Sequence, residues 1–117
     1  MQKTKAKLPI EKFGIITISS SLNHYLLMNE EYKKEVESIV DRYFHSDFGG
    51  DSENQRLCDQ VVKASNGGIL YGFYKLSNNK KIFIKTVGYG IKEEQMDLKT
   101  FLKADYNNTC IMFPSDD

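Results

Sequence analysis

Two apolar runs, Ile69 to Leu76 (ILYGFYKL) and Lys81 to Val87 (KIFIKTV), flank the polar tetrapeptide Ser77-Asn78-Asn79-Lys80. β-Branched and aromatic residues suit a pleated, half-buried surface, and Asn and Ser suit a turn. The pair therefore predicts a β-hairpin. Two shorter runs of the same character, Phe13 to Ile18 (FGIITI) and Thr109 to Phe113 (TCIMF), predict two more strands. The first reads as a buried strand, and the second is stopped by Pro114.

Between the first strand and the hairpin the apolar period changes from two to about 3.6. Leu22, Tyr25, Leu26 and Met28 or Asn29 give one or two helical turns, capped by one of Ser19, Ser20 and Ser21. Tyr32, Val36, Ile39, Val40 and Tyr43 mark a longer helix over about 30–44, with Glu30, Glu31, Lys33, Lys34, Glu35 and Glu37 as its solvated side. After Gly49-Gly50, either Asp51 or Ser52 can cap a third stretch over 53–65, where Ser52-x-x-Gln55 has the form of a capping box. Leu57, Cys58, Val61 and Val62 are its expected buried stripe, and Asn66-Gly67-Gly68 its left-handed stop. Residues 91–104 predict a short helix with Asp97 as a cap and Met96, Phe101 and Leu102 inward. The order β-α-α-β-β-α-β predicts an α+β fold, a four-stranded antiparallel or mixed sheet with helices on one face. The chain of 117 residues fits one domain, 1–117, with residues 1–12 as a flexible basic arm carrying Lys3, Lys5, Lys7 and Lys12.

Charge and motif spacing narrow the function classes. Sixteen basic and sixteen acidic residues leave no net charge. That speaks against a protein that grips nucleic acid with its whole surface and against a carboxylate mimic of DNA. A local patch of either sign remains open. No glycine group has the spacing of a phosphate loop or a dinucleotide fingerprint. Cys58 and Cys110 form no metal knuckle and read as small buried apolar residues. Cys58 with His45 is the one conceivable nucleophile and base, but an apolar-flanked helical cysteine fits the core better. No apolar run reaches the length of a signal peptide or a membrane span, so a cytoplasmic protein is expected, with no membrane partner and no cofactor.

Two clusters stand out as contact surfaces. Asp47, Asp51 and Glu53 share one loop with His45 and Phe48. Their readings are helix capping, a hard cation, or contact with a partner. Tyr71, Phe73 and Tyr74, with Phe83 and Lys85, resemble a nucleobase-stacking platform in composition. Alternation puts Tyr71 and Phe73 on one face and Tyr74 on the other. Such aromatics also serve as core beneath helices.

The stretch Asp47-Phe48-Gly49-Gly50-Asp51-Ser52-Glu53-Asn54, the strand Gly68-Ile69-Leu70-Tyr71-x-Phe73-Tyr74 and the strand Lys81-Ile82-Phe83-Ile84-Lys85-Thr86 resemble a family of small, mostly uncharacterised phage and plasmid proteins. Phe13-Gly14-Ile15-Ile16-Thr17 fits that family's opening strand loosely. The resemblance spans about 13–87 and 109–114. Three departures stand against it: Gly50 is inserted before Asp51, Val87-Gly88-Tyr89-Gly90 replaces an Asp-rich turn, and residues 91–106 form an insert. In size and character the chain is also similar to the type II anti-CRISPR proteins of mobile elements. That resemblance implies a non-enzymatic inhibitor in a bacterial host cell. It would bind a Cas9-type effector, with or without guide RNA, and block guide-RNA loading or DNA engagement. The residues expected to touch the partner are Asp47, Phe48, Asp51, Glu53, Tyr71, Phe73 and Lys85. The rival expectations are a small nucleic-acid-binding regulator using the basic arm and the hairpin, a metal-dependent nuclease, and a structural protein that dimerises through an exposed strand edge.

Overall fold

The computed structural model describes residues 6–91 and 107–117. Four strands, β1 (Ile15–Ile18), β2 (Gly68–Lys75), β3 (Lys81–Tyr89) and β4 (Asn108–Met112), form one sheet in the order β1-β4-β3-β2. β1 runs parallel to β4, while β2–β3 and β3–β4 are antiparallel. Three helices, α1 (Ser20–Met28), α2 (Lys33–Phe44) and α3 (Ser52–Ala64), lie between β1 and β2 in the chain. The fold is thus α+β with a mixed four-stranded sheet. The helix expected over 91–104 lies outside the described residues.

Local chemistry sets the helix limits. Ser19 caps α1, its hydroxyl accepting from the Leu22 N–H at 3.2 Å. Asp51 caps α3, accepting from the Asn54 N–H at 2.8 Å. Gln55 takes no part in a capping box. Its amide accepts from the Phe48 N–H and donates to the Ser46 carbonyl, which shapes the preceding loop. α3 stops one residue earlier than expected, at Ser65, which itself adopts the left-handed conformation. Of its expected stripe only Cys58 is buried, and Leu57 faces solvent. The physical reason is placement: α3 packs beside the edge of β2 and not flat over the sheet, so it has a narrow buried face.

The core gathers Val36, Ile39, Tyr43 and Phe44 of α2 against Leu70, Tyr74, Ile82 and Ile84 of the hairpin, with Phe13, Leu22 and Leu26 closing one end. Glu35, expected on a solvated face, instead accepts from the Ser77 N–H and hydroxyl at 2.7 and 2.8 Å and fixes the hairpin turn to α2. The expected arm is also tied down over its second half. The Leu8 N–H donates to the Phe44 carbonyl at 2.8 Å, and Ile10–Phe13 form a 3-10 turn.

β1 is not the buried strand that its composition predicts. All four of its residues are exposed, because among the described residues the strand sits at the sheet edge with a neighbour on one side only. Phe13, just before it, supplies the buried anchor instead.

A row of hydroxyls crosses the core. The Thr109 hydroxyl donates to the Phe13 carbonyl at 2.8 Å. Its single proton is thereby used, so Thr86 must donate to Thr109, and Tyr43 to Thr86. Thr109→Val would strand both the Thr86 proton and the Phe13 carbonyl, whereas Tyr43→Phe removes a donor and strands none. We expect urea unfolding to show a loss of about 2–4 kcal/mol for Thr109→Val and about 1 kcal/mol for Tyr43→Phe. Equal losses would contradict the donor order. Burial also pushes the Tyr43 phenol well above its usual 10.0, because a charge there would leave water. Folding therefore favours the protonated phenol. That contribution is complete below about pH 10 and falls away as pH rises further. The urea midpoint should drop above pH 10, and less steeply in Tyr43→Phe.

Candidate functional site

The loop from Asp47 to Asp51 meets the hairpin along the free edge of β2. The Phe73 N–H donates to the Phe48 carbonyl at 2.9 Å, and the Gly50 N–H donates to the Phe73 carbonyl at 3.2 Å. Gly49 lies so close that a Cβ would sit 2.0 Å from the Phe73 carbonyl oxygen, at φ +65°. Asn54 and Cys58 both donate to the Tyr71 carbonyl, at 3.0 and 3.4 Å. The edge of β2 is therefore bonded by the chain itself.

The four residues expected to contact a partner from this loop have structural partners instead. Phe48 is completely buried and packs edge-on against Tyr43, so it presents no surface; its apolar ring belongs to the core. Asp47 grips the Arg42 guanidinium at 2.7 and 3.3 Å, and its carbonyl accepts from Tyr74. That hydrogen bond raises the Arg42 pKa above its ordinary value. Asp51 caps α3. Glu53 pairs with Arg56 at 2.5 Å, and the guanidinium holds its carboxyl below the usual range. Among the described residues no three His, Cys, Asp or Glu side chains converge as metal ligands do. His45 bonds back to the Asp41 carbonyl, and burial raises the Cys58 thiol, which disfavours the thiolate a nucleophile needs.

The hairpin gathers its own residues into a surface. On the sheet face away from the main core, Tyr71, Phe73 and Phe83 lie with nearly parallel planes. Tyr71 and Phe83 are 5.7 Å apart at 5°, and Phe73 and Phe83 are 5.0 Å apart at 20°. Phe83 is buried under its neighbours, while Phe73 keeps 45% of its surface in solvent. Lys85 sits 6.0 Å over the Tyr71 ring and pairs with Asp117 at 3.3 Å. Phe73 also lines an open cleft of about 620 Å³ together with Arg42, Gly50, Lys75, Lys81 and Pro114.

Arg42, Lys75 and Lys81 were not anticipated as site residues. Lys75 and Lys81 are direct cross-strand partners. Like charges so placed repel, and neither has an ion-pair partner among the described residues. The cleft thus joins a half-exposed ring to two lysines and to Arg42, whose guanidinium is already held by Asp47. Strand alternation could have placed Lys75 and Lys81 beside Phe73 and Phe83. Nothing in the sequence marks Arg42, which arrives from the last turn of α2.

Comparison with known proteins finds no protein family, curated protein or solved structure that matches the chain. Among the described residues no helix is long and apolar enough to cross a membrane.

Burial separates the two phenylalanines proposed for contact. Phe48→Ala should cost about 3–5 kcal/mol in denaturant unfolding, as for a truncated core ring. Phe73→Ala should cost about 1 kcal/mol or less, since much of the ring is already in water. Equal costs would show that the hairpin face is packed and not presented.

Proposed function

We propose that the protein is a non-enzymatic binding protein that takes single-stranded RNA on its hairpin face and thereby inhibits a Cas9-type effector at guide-RNA loading. The observation that carries the reading is the half-exposed Phe73 ring beside Lys75 and Lys81, cross-strand neighbours with no ion-pair partner among the described residues. An unstacked base fits on the ring, and the adjoining phosphates fit the lysines. Stacking of this kind contributes about 1–3 kcal/mol per base and tolerates any sequence. The resemblance to anti-CRISPR proteins supplies the effector, and the loaded RNA is where such a surface meets it. The acids of the 47–53 loop support a binding role over a hydrolytic one, since each is engaged in a cap or an ion pair.

Purified protein is titrated with a Cas9-type guide RNA and, separately, with the effector before and after guide loading. Binding to free RNA should weaken on Phe73→Ala by roughly ten- to a hundredfold, matching the stacking range. In Lys75→Ala/Lys81→Ala the slope of log affinity against log salt should fall by roughly 1.4, at about 0.7 per phosphate contact. RNA binding without any effect on guide loading would favour the regulator reading. No binding to RNA and none to either form of the effector would end both.

A further inference from the structure

The two edges of the sheet differ in a way that the hairpin face does not explain. The edge of β2 is bonded by Phe48, Gly50, Asn54 and Cys58, as described above. The edge of β1 has nothing on it among the described residues. Natural edge strands are usually shielded by charge, proline or a bulge, because bare N–H and C=O groups invite another strand. Ile15-Ile16-Thr17-Ile18 has none of these protections. Its isoleucines are exposed by 73%, 38% and 38%.

We infer that β1 pairs antiparallel with β1 of a second copy of this chain, about a two-fold axis through Thr17, to make a continuous eight-stranded sheet. The register follows from the hydrogen bonds already made. The Ser19 N–H donates to the Ile111 carbonyl at 2.9 Å. In a parallel ladder alternate residues turn both backbone groups to the same neighbour. Residues 15, 17 and 19 therefore face β4, and Ile16 and Ile18 turn theirs to the open edge. An antiparallel partner satisfies all of these when Ile16 of one copy meets Ile18 of the other, which yields four hydrogen bonds. Opposed residues then share a sheet face, so the four side chains of Ile16 and Ile18 form one apolar patch. Thr17 meets Thr17 across the axis.

A second copy suits this edge better than a charged partner. The strand carries no charge, and two neutral copies do not repel. The arrangement also closes on itself. Since the β2 edge is occupied, the sheet cannot extend beyond two copies into a filament. The contact is short, at the small end of stable interfaces, so the dimer should be weak, with a Kd on the order of 1–100 micromolar.

Sedimentation equilibrium of the full chain tests this across that range and several times above it. The mass should rise from 13.5 kDa toward twice that value. Ile18→Pro removes an edge donor without touching the β4 ladder, and it should hold the mass at the monomer value with an unchanged circular dichroism spectrum. Should that variant unfold, Ile16→Lys serves the same end by bringing like charges together. The register has its own readout. In a Cys110→Ser background, Thr17→Cys should form a disulfide dimer with oxidised glutathione much faster than Ile15→Cys, which faces Ser19 across the axis. A wild-type mass that stays at the monomer value overturns the proposal, and so does cross-linking at residue 15 as fast as at residue 17.

Discussion

The line of hydroxyls from Tyr43 through Thr86 and Thr109 to the Phe13 carbonyl holds the architecture to one arrangement. Apolar packing alone would let α2 slide along the sheet, because isoleucine and valine surfaces are tolerant of small shifts. Three buried hydroxyls are not tolerant. Each must find a partner of the right sense, and an unpaired one costs more than a made bond contributes. The row fixes α2 against β3, β3 against β4, and β4 against Phe13, two residues before β1. It spans 96 residues of sequence between Phe13 and Thr109. The parallel pairing of β1 with β4, the least local feature of the fold, is thereby specified by a polar contact.

The loop after α2 performs two tasks that look alike in sequence. Its glycines let backbone approach β2 so closely that a side chain at Gly49 would collide with the Phe73 carbonyl. Its acids finish one helix and begin the next: Asp47 holds Arg42 at the end of α2, and Asp51 caps α3. Together they seal the β2 edge and present the Phe73 ring beside the cleft. An acid-rich loop resembles a cation site in composition. Here the carboxylates point to separate partners and never converge.

What was legible in the sequence was local. The hairpin, its turn, the amphipathic stripe of α2 and the two capping positions all follow from neighbours within a few residues, and the structure has them. Misreadings arise where a distant element decides. FGIITI has the composition of a buried strand, but pairing with β4 alone leaves Ile15–Ile18 at an edge. Leu57 follows the helical stripe, but α3 has only a strand edge to pack on. Phe48 stands among polar residues and looks presented, yet Tyr43, 43 residues from its hydroxyl partner Thr86, draws it into the core. Arg42 enters the cleft only because α2 ends there. Tyr71, Phe73 and Lys85 share a face because alternation along a strand is a two-residue rule.

Zero net charge argues against gripping a polyanion with the whole surface, but a total is a poor guide to any one site. Charges act over about a Debye length, near 8 Å at physiological salt. What matters is therefore which charges are left over locally. Asp47 is taken by Arg42, Glu53 by Arg56 and Glu35 by the Ser77 turn, and Asp116 accepts from the Ser19 and Ser21 hydroxyls. Lys75 and Lys81 face each other across the hairpin, and among the described residues no acid pairs with either. These four acids are used to build the scaffold, and two lysines remain beside an exposed aromatic ring. A chain that sums to zero thus has a cationic cleft, and the same neutrality leaves two copies free to approach at the uncharged edge of β1.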